Sequence, residues 1–205
     1  MAHNKKETEN TFFSGVGLYN PKNGFNIGGS IRAAAAFNSS FLVSSGVRHK
    51  EFKTDFRNMD ADLGRKRIPC FIGVDSLLTF IPYDTVPVAI ERSDDGVSLP
   101  NFQHPRRAFY IFGPEDGAIS DDILNVCHHK VYIPSSSLNL QVCVHLVLYD
   151  RFVKAEKSKE EAYPKCPDCG SDHCKIVENP PVFSDNGWMH CNACNFEGDT
   201  STFIN

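Results

Sequence analysis

No run of residues in this 205-residue chain is long enough or apolar enough to cross a membrane. Residues 1–11 are mostly polar, with His3, Asn4, Lys5, Lys6 and Glu7, and lack the apolar stretch of a secretory signal. These two absences make a cytoplasmic protein with no membrane partner the expectation. Positive charge is not in excess either. The formal net charge is −4, so a uniformly basic nucleic-acid surface is excluded and any such footprint must be a local patch. There is no internal repeat and no Walker A loop. No G-x-G-x-x-G stands where one is needed, because Gly15 and Gly17 precede a turn without the third glycine. An ATP or dinucleotide site is thereby disfavoured.

What is present is an ordinary soluble composition, 41% hydrophobic and 22% charged, in a length that suits one medium domain with a small appendage. Eight cysteines in a cytosolic setting point to metal binding rather than disulfides. Cys70, Cys127 and Cys143 are scattered through apolar surroundings and read as packing residues, with nothing to mark a nucleophile. Cys166, Cys169, Cys174, Cys191 and Cys194 crowd the last forty residues. Among these, CPDC at 166–169 and CNAC at 191–194 are two C-x-x-C knuckles, the spacing that sets four thiolates around zinc. Cys174 and His173 are possible substitutes. Four ligands close the site, so the zinc is expected to be structural. Residues 164–205 are too few for a core of their own, and metal binding would supply much of their folding energy.

Upstream, short apolar runs bounded by Pro and Gly suit strands of a parallel sheet: Phe12–Leu18, Phe41–Ser45, Cys70–Val74, Val86–Ile90, Ala108–Phe112 and Lys130–Ile133. Helical patterns fall between them. One spans Ile27–Asn38, preceded by Asn26. A second is capped by Ser120 and runs to about Cys127, and an apolar third covers Asn139–Val153. This alternation implies an α/β fold. Lys154–Ala162 is a charged segment, read as a solvated helix extension or linker, and Pro164 ends it. We expect a main domain over 1–155, a linker or helix extension over 156–163 and the cysteine module over 164–205.

Three segments place a polar turn directly after a strand and before a helix, where open α/β sheets bind ligands. They are NPKNGFNIGGSIRAAAAF (20–37), FYIFGPEDGAIS (109–120) and VYIPSSSLNLQVCVHLVLYDRF (131–152). On the residues alone they describe a crevice whose polar side chains are Arg32, Glu115, Ser137 and Asn139, with Gly113 and Gly117 letting backbone approach a ligand.

In this order and after these strands, the three segments resemble the three motifs of the SpoU/TrmH family of RNA 2′-O-ribose methyltransferases, within the SPOUT superfamily. The resemblance covers roughly residues 10–155. It implies a trefoil-knotted parallel sheet with helices on both faces, an obligate homodimer, and S-adenosylmethionine as cofactor. The site residues it carries are Asn26 and Arg32 of the first motif, Gly113 and Glu115 of the second, and Ile133, Ser137, Leu138 and Asn139 of the third. Arg32 would stabilise the alkoxide that develops on the ribose 2′-oxygen, with a phosphate as proton acceptor. Asn26 would orient Arg32 or the ribose, and Glu115 would hold Arg32 or the cofactor loop. Ser137 and Asn139 would order the third loop, although Asn139 could equally cap its helix. Backbone near Gly113, Ile133 and Leu138 would bind the adenosine part, with the strand end at Ile90 beside it.

The implied partner is RNA, tRNA in preference to rRNA. The stretch Arg48–Arg67 holds Arg48, Lys50, Lys53, Arg57, Arg65, Lys66 and Arg67 against four acids, and is either an RNA-backbone contact or a solvated loop. The cysteine module has two lysines against six acids. Its Phe183, Trp188 and Phe196 could stack on bases or pack around the metal. The alternative function is a non-catalytic RNA-binding or assembly protein on the same scaffold.

Overall fold

The six apolar runs become strands, and the short β5 adds a seventh: β1 (Phe13–Leu18), β2 (Phe41–Ser45), β3 (Cys70–Val74), β4 (Val86–Ile90), β5 (Val97–Ser98), β6 (Arg107–Phe112) and β7 (His129–Tyr132). The computed structural model describes residues 13–51, 64–161, 166–171, 174–176 and 188–199, and the chain divides into two units, Met1–Phe152 and Val153–Asn205. In the first unit all seven strands join one sheet in the order β3-β2-β1-β6-β4-β7-β5, every neighbour pair parallel. Between them lie α1 (Gly24–Ala36) and the short α2 (Arg48–Glu51), α3 (Gly64–Arg67) and α4 (Asp121–Leu124), and the long α5 (Leu140–Glu161) follows β7. None of the described helices is long and apolar enough to cross a membrane.

Strand side chains alternate between the two sheet faces, and both faces are covered. Val16, Leu18, Leu42, Val88, Ile90, Tyr110 and Phe112 form one core with Ile27 and Ile31 of α1 and Val144, Val147 and Leu148 of α5. Val43, Ala89, Phe109 and Ile111 face the other way, against Leu77, Ile119 and Ile123. Gly15 and Gly17 find their reason here. A Cβ on Gly15 would stand 2.7 Å from the Phe109 ring and 2.8 Å from that of Phe41. These two rings stack with centroids 5.7 Å apart. The glycines of β1 are thus packing glycines, not remnants of a phosphate loop. On the opposite face Gly29 lets α1 lie against α5, since a Cβ there would overlap the side chain of Gln141.

Helix boundaries depart from the sequence reading at several ends, two of which concern the expected caps. α1 starts at Gly24 instead of after Asn26, because Asn23 is the cap and its side chain accepts the Phe25 amide at 2.8 Å. α4 ends at Leu124, short of Cys127, and the Ser120 side chain makes no capping bond.

At the N-terminal end of the sheet α5 is bolted down by the buried Arg151. Its guanidinium donates to the carbonyls of Pro105 (2.6 Å), Arg106 (2.7 Å) and Phe13 (3.0 Å) and to the Tyr110 hydroxyl (3.0 Å). His104 links Tyr110 (2.7 Å) to Asp150 (2.9 Å), and burial pushes the Tyr110 hydroxyl up to about 12. Arg151→Met keeps much of the volume but strips bonds from three carbonyls. We expect a loss of about 3–5 kcal/mol in urea unfolding, the cost of breaking a buried charged network from one side. A loss under 1 kcal/mol would mean that water replaces the guanidinium.

The second unit contains a three-stranded antiparallel sheet, ordered β10-β9-β8, of β8 (Cys174–Ile176), β9 (Trp188–Cys191) and β10 (Glu197–Asp199). Its described core is little more than Cys166, Met189 and Cys191, with Cys174, Cys194 and Phe196 packed on it.

Candidate active site and cysteine centre

Parallel strands deliver their C-terminal ends to one edge of the sheet. In the consecutive neighbours β1, β6, β4 and β7 these ends are in register: Leu18 beside Phe112, Phe112 beside Ile90, and Ile90 beside Val131. The loops that follow, distant in sequence, meet there.

Glu115 joins the first loop to the second. Its carboxylate accepts the amides of Lys22 (2.8 Å) and Asn23 (3.2 Å) and the Nδ2 of Asn26 (2.5 Å). A carboxylate at the start of α1 also suits the positive end of the helix dipole. Asp116 repeats the connection. It takes two bonds from Arg48 Nη2, at 2.8 and 2.9 Å, and an ion pair from Lys22 at 3.1 Å. Hydrogen bonds from Arg48 and then Lys22 hold its carboxyl below the ordinary aspartate range. Arg48 reaches back to the Asn20 carbonyl as well, at 3.3 Å. The first residue of the basic stretch is therefore paired, while Lys50, Lys66 and Arg67 are exposed. Lys53 and Arg57 lie outside the described residues.

An open cleft lies along this edge. Its lining includes Ile90, Gly113, Glu115, Ile133, Ser137 and Leu138, together with Phe112, Tyr132 and the serines 135 and 136. Six of the seven residues expected at a cofactor thus share one surface. The seventh, Asn139, caps α5 instead: its side chain accepts the Gln141 amide at 3.0 Å and its carbonyl the Cys143 amide at 3.0 Å. Asn26 is buried and reaches the cleft through Glu115. Arg32 lies six residues further along α1, about 9 Å of axial rise. It is exposed, with no hydrogen-bond or ion-pair partner among the described residues. Neither Glu115 nor Asn26 holds it.

Cys143 borders the cleft, but burial raises its thiol, and burial raises that of Cys127 to about 11, so neither is a ready thiolate at neutral pH. His145 bonds the Gln141 carbonyl of its own helix at 2.7 Å. Two lining residues escaped the sequence reading, Glu91 and Arg92. Their one signal is position, directly after a strand end, as with the three motifs.

In the second unit the Sγ atoms of Cys166, Cys169, Cys191 and Cys194 all lie within 4.8 Å of one another. Cys166 and Cys194 are 3.6 Å apart and Cys169 and Cys191 3.7 Å. Tetrahedral zinc with bonds of about 2.3 Å separates its sulfurs by about 3.8 Å, so the cluster fits that ion. The two knuckles repeat one design. Gly170 (φ 71°) and Asn195 (φ 63°), each just after the second cysteine, take the left-handed conformation. Their amides bond the carbonyls of Cys166 and Cys191, both at 2.9 Å. Cys174 lies outside the group of four, its thiol 3.4 Å from the Ser171 carbonyl. Phe196 packs into the small core. His173 and Phe183 lie outside the described residues.

Comparison with known proteins agrees with this architecture. No curated protein sequence matches the chain. Among solved structures, the fold resembles the SpoU methyltransferase AviRb from Streptomyces viridochromogenes in complex with AdoMet: TM-score 0.62, 21% identity, 72% of this chain and 59% of that one. It resembles the A. aeolicus TrmH/SpoU tRNA modifying enzyme with TM-score 0.61 and 22% identity, over 73% of this chain and 78% of that one. A structure described for the 2-OH methylation of C/U34 on tRNA gives TM-score 0.60 at 20% identity, covering 72% of this chain and 99% of that one. The chain thus spans about three fifths of AviRb, and likenesses at this identity concern the fold. The sequence pattern goes further. The model of the SpoU rRNA methylase family matches residues 15–149, from the first strand into the long helix and over all three site loops, so the chain belongs to that family.

Proposed function

We propose that this protein transfers a methyl group from S-adenosylmethionine to a ribose 2′-hydroxyl of RNA, tRNA in preference to rRNA, in the cytoplasm. The observation that carries the reading is the convergence of the second and third loops on one cleft, with the first loop tied in through Glu115. The cleft suits the cofactor chemically. Ile90, Ile133 and Leu138 offer apolar contact to an adenine, and the Gly113 backbone borders the same cleft. Bound there, S-adenosylmethionine supplies an electrophilic methyl on a sulfonium. The chain's own residues do the rest. Glu115 and Asn26 fix the start of α1. Arg32, without a partner among the described residues, offers its guanidinium to the ribose oxygen as that oxygen loses its proton to a neighbouring phosphate.

The same reading includes the trefoil knot and a homodimer. Val142, Leu146 and Tyr149 lie on one stripe of α5 and are 39%, 37% and 56% exposed. A second copy is the partner we assign to it. Zinc belongs to Cys166, Cys169, Cys191 and Cys194, which leave it no open position and so a structural role. The main domain takes residues 1–155 and the zinc ribbon 164–205, joined by the charged helix extension.

The experiment is transfer of radiolabelled methyl from S-adenosylmethionine to total RNA from cells lacking this protein. We expect label in the tRNA fraction, and nuclease digestion then locates a methylated ribose. Cofactor binding without label in any fraction would replace the enzyme by the non-catalytic scaffold.

A further inference from the structure

Glu91 and Arg92 follow β4 without a break and border the same cleft, yet their side chains take hold of different loops. Glu91 Oε2 accepts the Ile119 amide at 3.1 Å. The same oxygen lies over Gly113, where a Cβ would come within 2.6 Å of it. One carboxylate thus holds the second loop by a hydrogen bond near its end and packs against its start. Arg92 turns the other way. Its two terminal nitrogens donate to the carbonyls of Ser135 and Ser136, each at 3.2 Å. Those carbonyls belong to the third loop, which is short, rich in serine and mostly exposed. A planar guanidinium can bridge two adjacent carbonyls, whereas a lysine ammonium is a single point on a flexible stem. The Glu91 carboxylate also accepts the Arg92 amide at 3.1 Å, which stiffens the junction between the two grips.

We infer that Glu91 and Arg92 are a positioning pair that sets the separation of the two cleft walls, and through it the affinity for cofactor. The second part rests on the methyl-transfer reading above. Neither side chain is assigned a contact with reacting atoms. Each acts through the loop it holds.

The test has a readout that needs no cofactor. Amide hydrogen exchange is followed in the wild-type protein, Arg92→Ala and Glu91→Ala. We expect exchange over 134–139 to quicken several-fold in Arg92→Ala with 113–119 unchanged, and the converse in Glu91→Ala, at melting temperatures within about 2 °C of wild type. Calorimetry then gives cofactor affinity. Arg92→Ala should raise the dissociation constant for S-adenosylmethionine about tenfold, as expected for two lost charge-assisted bonds. Its kcat at saturating cofactor should stay within twofold, and Arg92→Lys should fall between. Unchanged exchange in both loops overturns the pair and leaves the methyl-transfer reading standing. A general rise in exchange with a falling melting temperature also overturns it, since the residues would then be merely structural. Failure of the wild-type protein to bind S-adenosylmethionine overturns the methyl-transfer reading itself, and the affinity claim with it.

Discussion

Replacing Arg32 by alanine should lower the single-turnover rate of methyl transfer by about 10²–10³-fold, while cofactor affinity should stay within about twofold. The size follows from the task. A ribose hydroxyl is a weak nucleophile, and a charged donor aimed at a developing oxyanion is worth about 3–4 kcal/mol when removed. The selectivity follows from the structure. Arg32 is exposed, has no partner among the described residues, and does not line the cleft. Its removal breaks no packing or hydrogen bond there, and alanine is at least as good a helix former. Stability should therefore move by no more than about 0.5 kcal/mol. Arg32→Lys keeps the charge but loses the fork, and should recover part of the rate. The decisive comparison is rate against melting temperature in one set of preparations. A rate within fivefold of wild type would remove Arg32 from the chemistry and leave alkoxide stabilisation to the RNA.

Removing zinc should unfold the C-terminal module and spare the sheet domain. The described core of that module is three buried side chains, two of them cysteines. An ion whose binding contributes on the order of 10 kcal/mol or more to such modules decides whether it folds at all. Purified protein should carry one zinc per chain, and Cys191→Ser should carry none. In the variant, or after chelation, amide signals of residues 166–199 should collapse to unfolded positions and protease should cut there. The sheet domain should melt within a few degrees of wild type. Retention of zinc by Cys191→Ser would point to Cys174 as a replacement, since it pairs with Cys191 across β8 and β9. Retention of structure without metal would sink the structural role.

The strands were legible because strands of a parallel sheet are short apolar runs, and six of the seven announce themselves this way. β5 does not. Two residues carry no periodicity, and only pairing with β7 makes them a strand. Asn23 and Asn26 show a subtler limit. Both are good caps three residues apart; Asn23 is the one whose side chain accepts a helix amide, while Asn26 donates its Nδ2 to Glu115, far along the chain. Most of the cleft could be read because the motifs stand directly after strands. Glu91 and Arg92 obey the same rule. In sequence, however, ERSDDG resembles any solvated turn, and their bonds reach residues that only the sheet order brings near. Arg151 was hidden for a related reason: a buried arginine on an apolar helix makes sense only once three carbonyls from other segments surround it.

The sheet order also governs how this chain can be made. β7 hydrogen-bonds β4 on one side and β5 on the other, so two strands adjacent in sequence are separated in the finished protein by one that comes later. At roughly 5–20 residues per second, the about 30 residues between β5 and β7 leave the ribosome for some seconds with a vacant lane beside β4. A premature β4–β5 pair would fill that lane and must come apart before translation products can mature. Slower synthesis lengthens that wait, whereas a chaperone that shields the open edge of Val86–Ile90 prevents the premature pair. Yield of native protein should therefore depend more on holdase supply than on growth temperature.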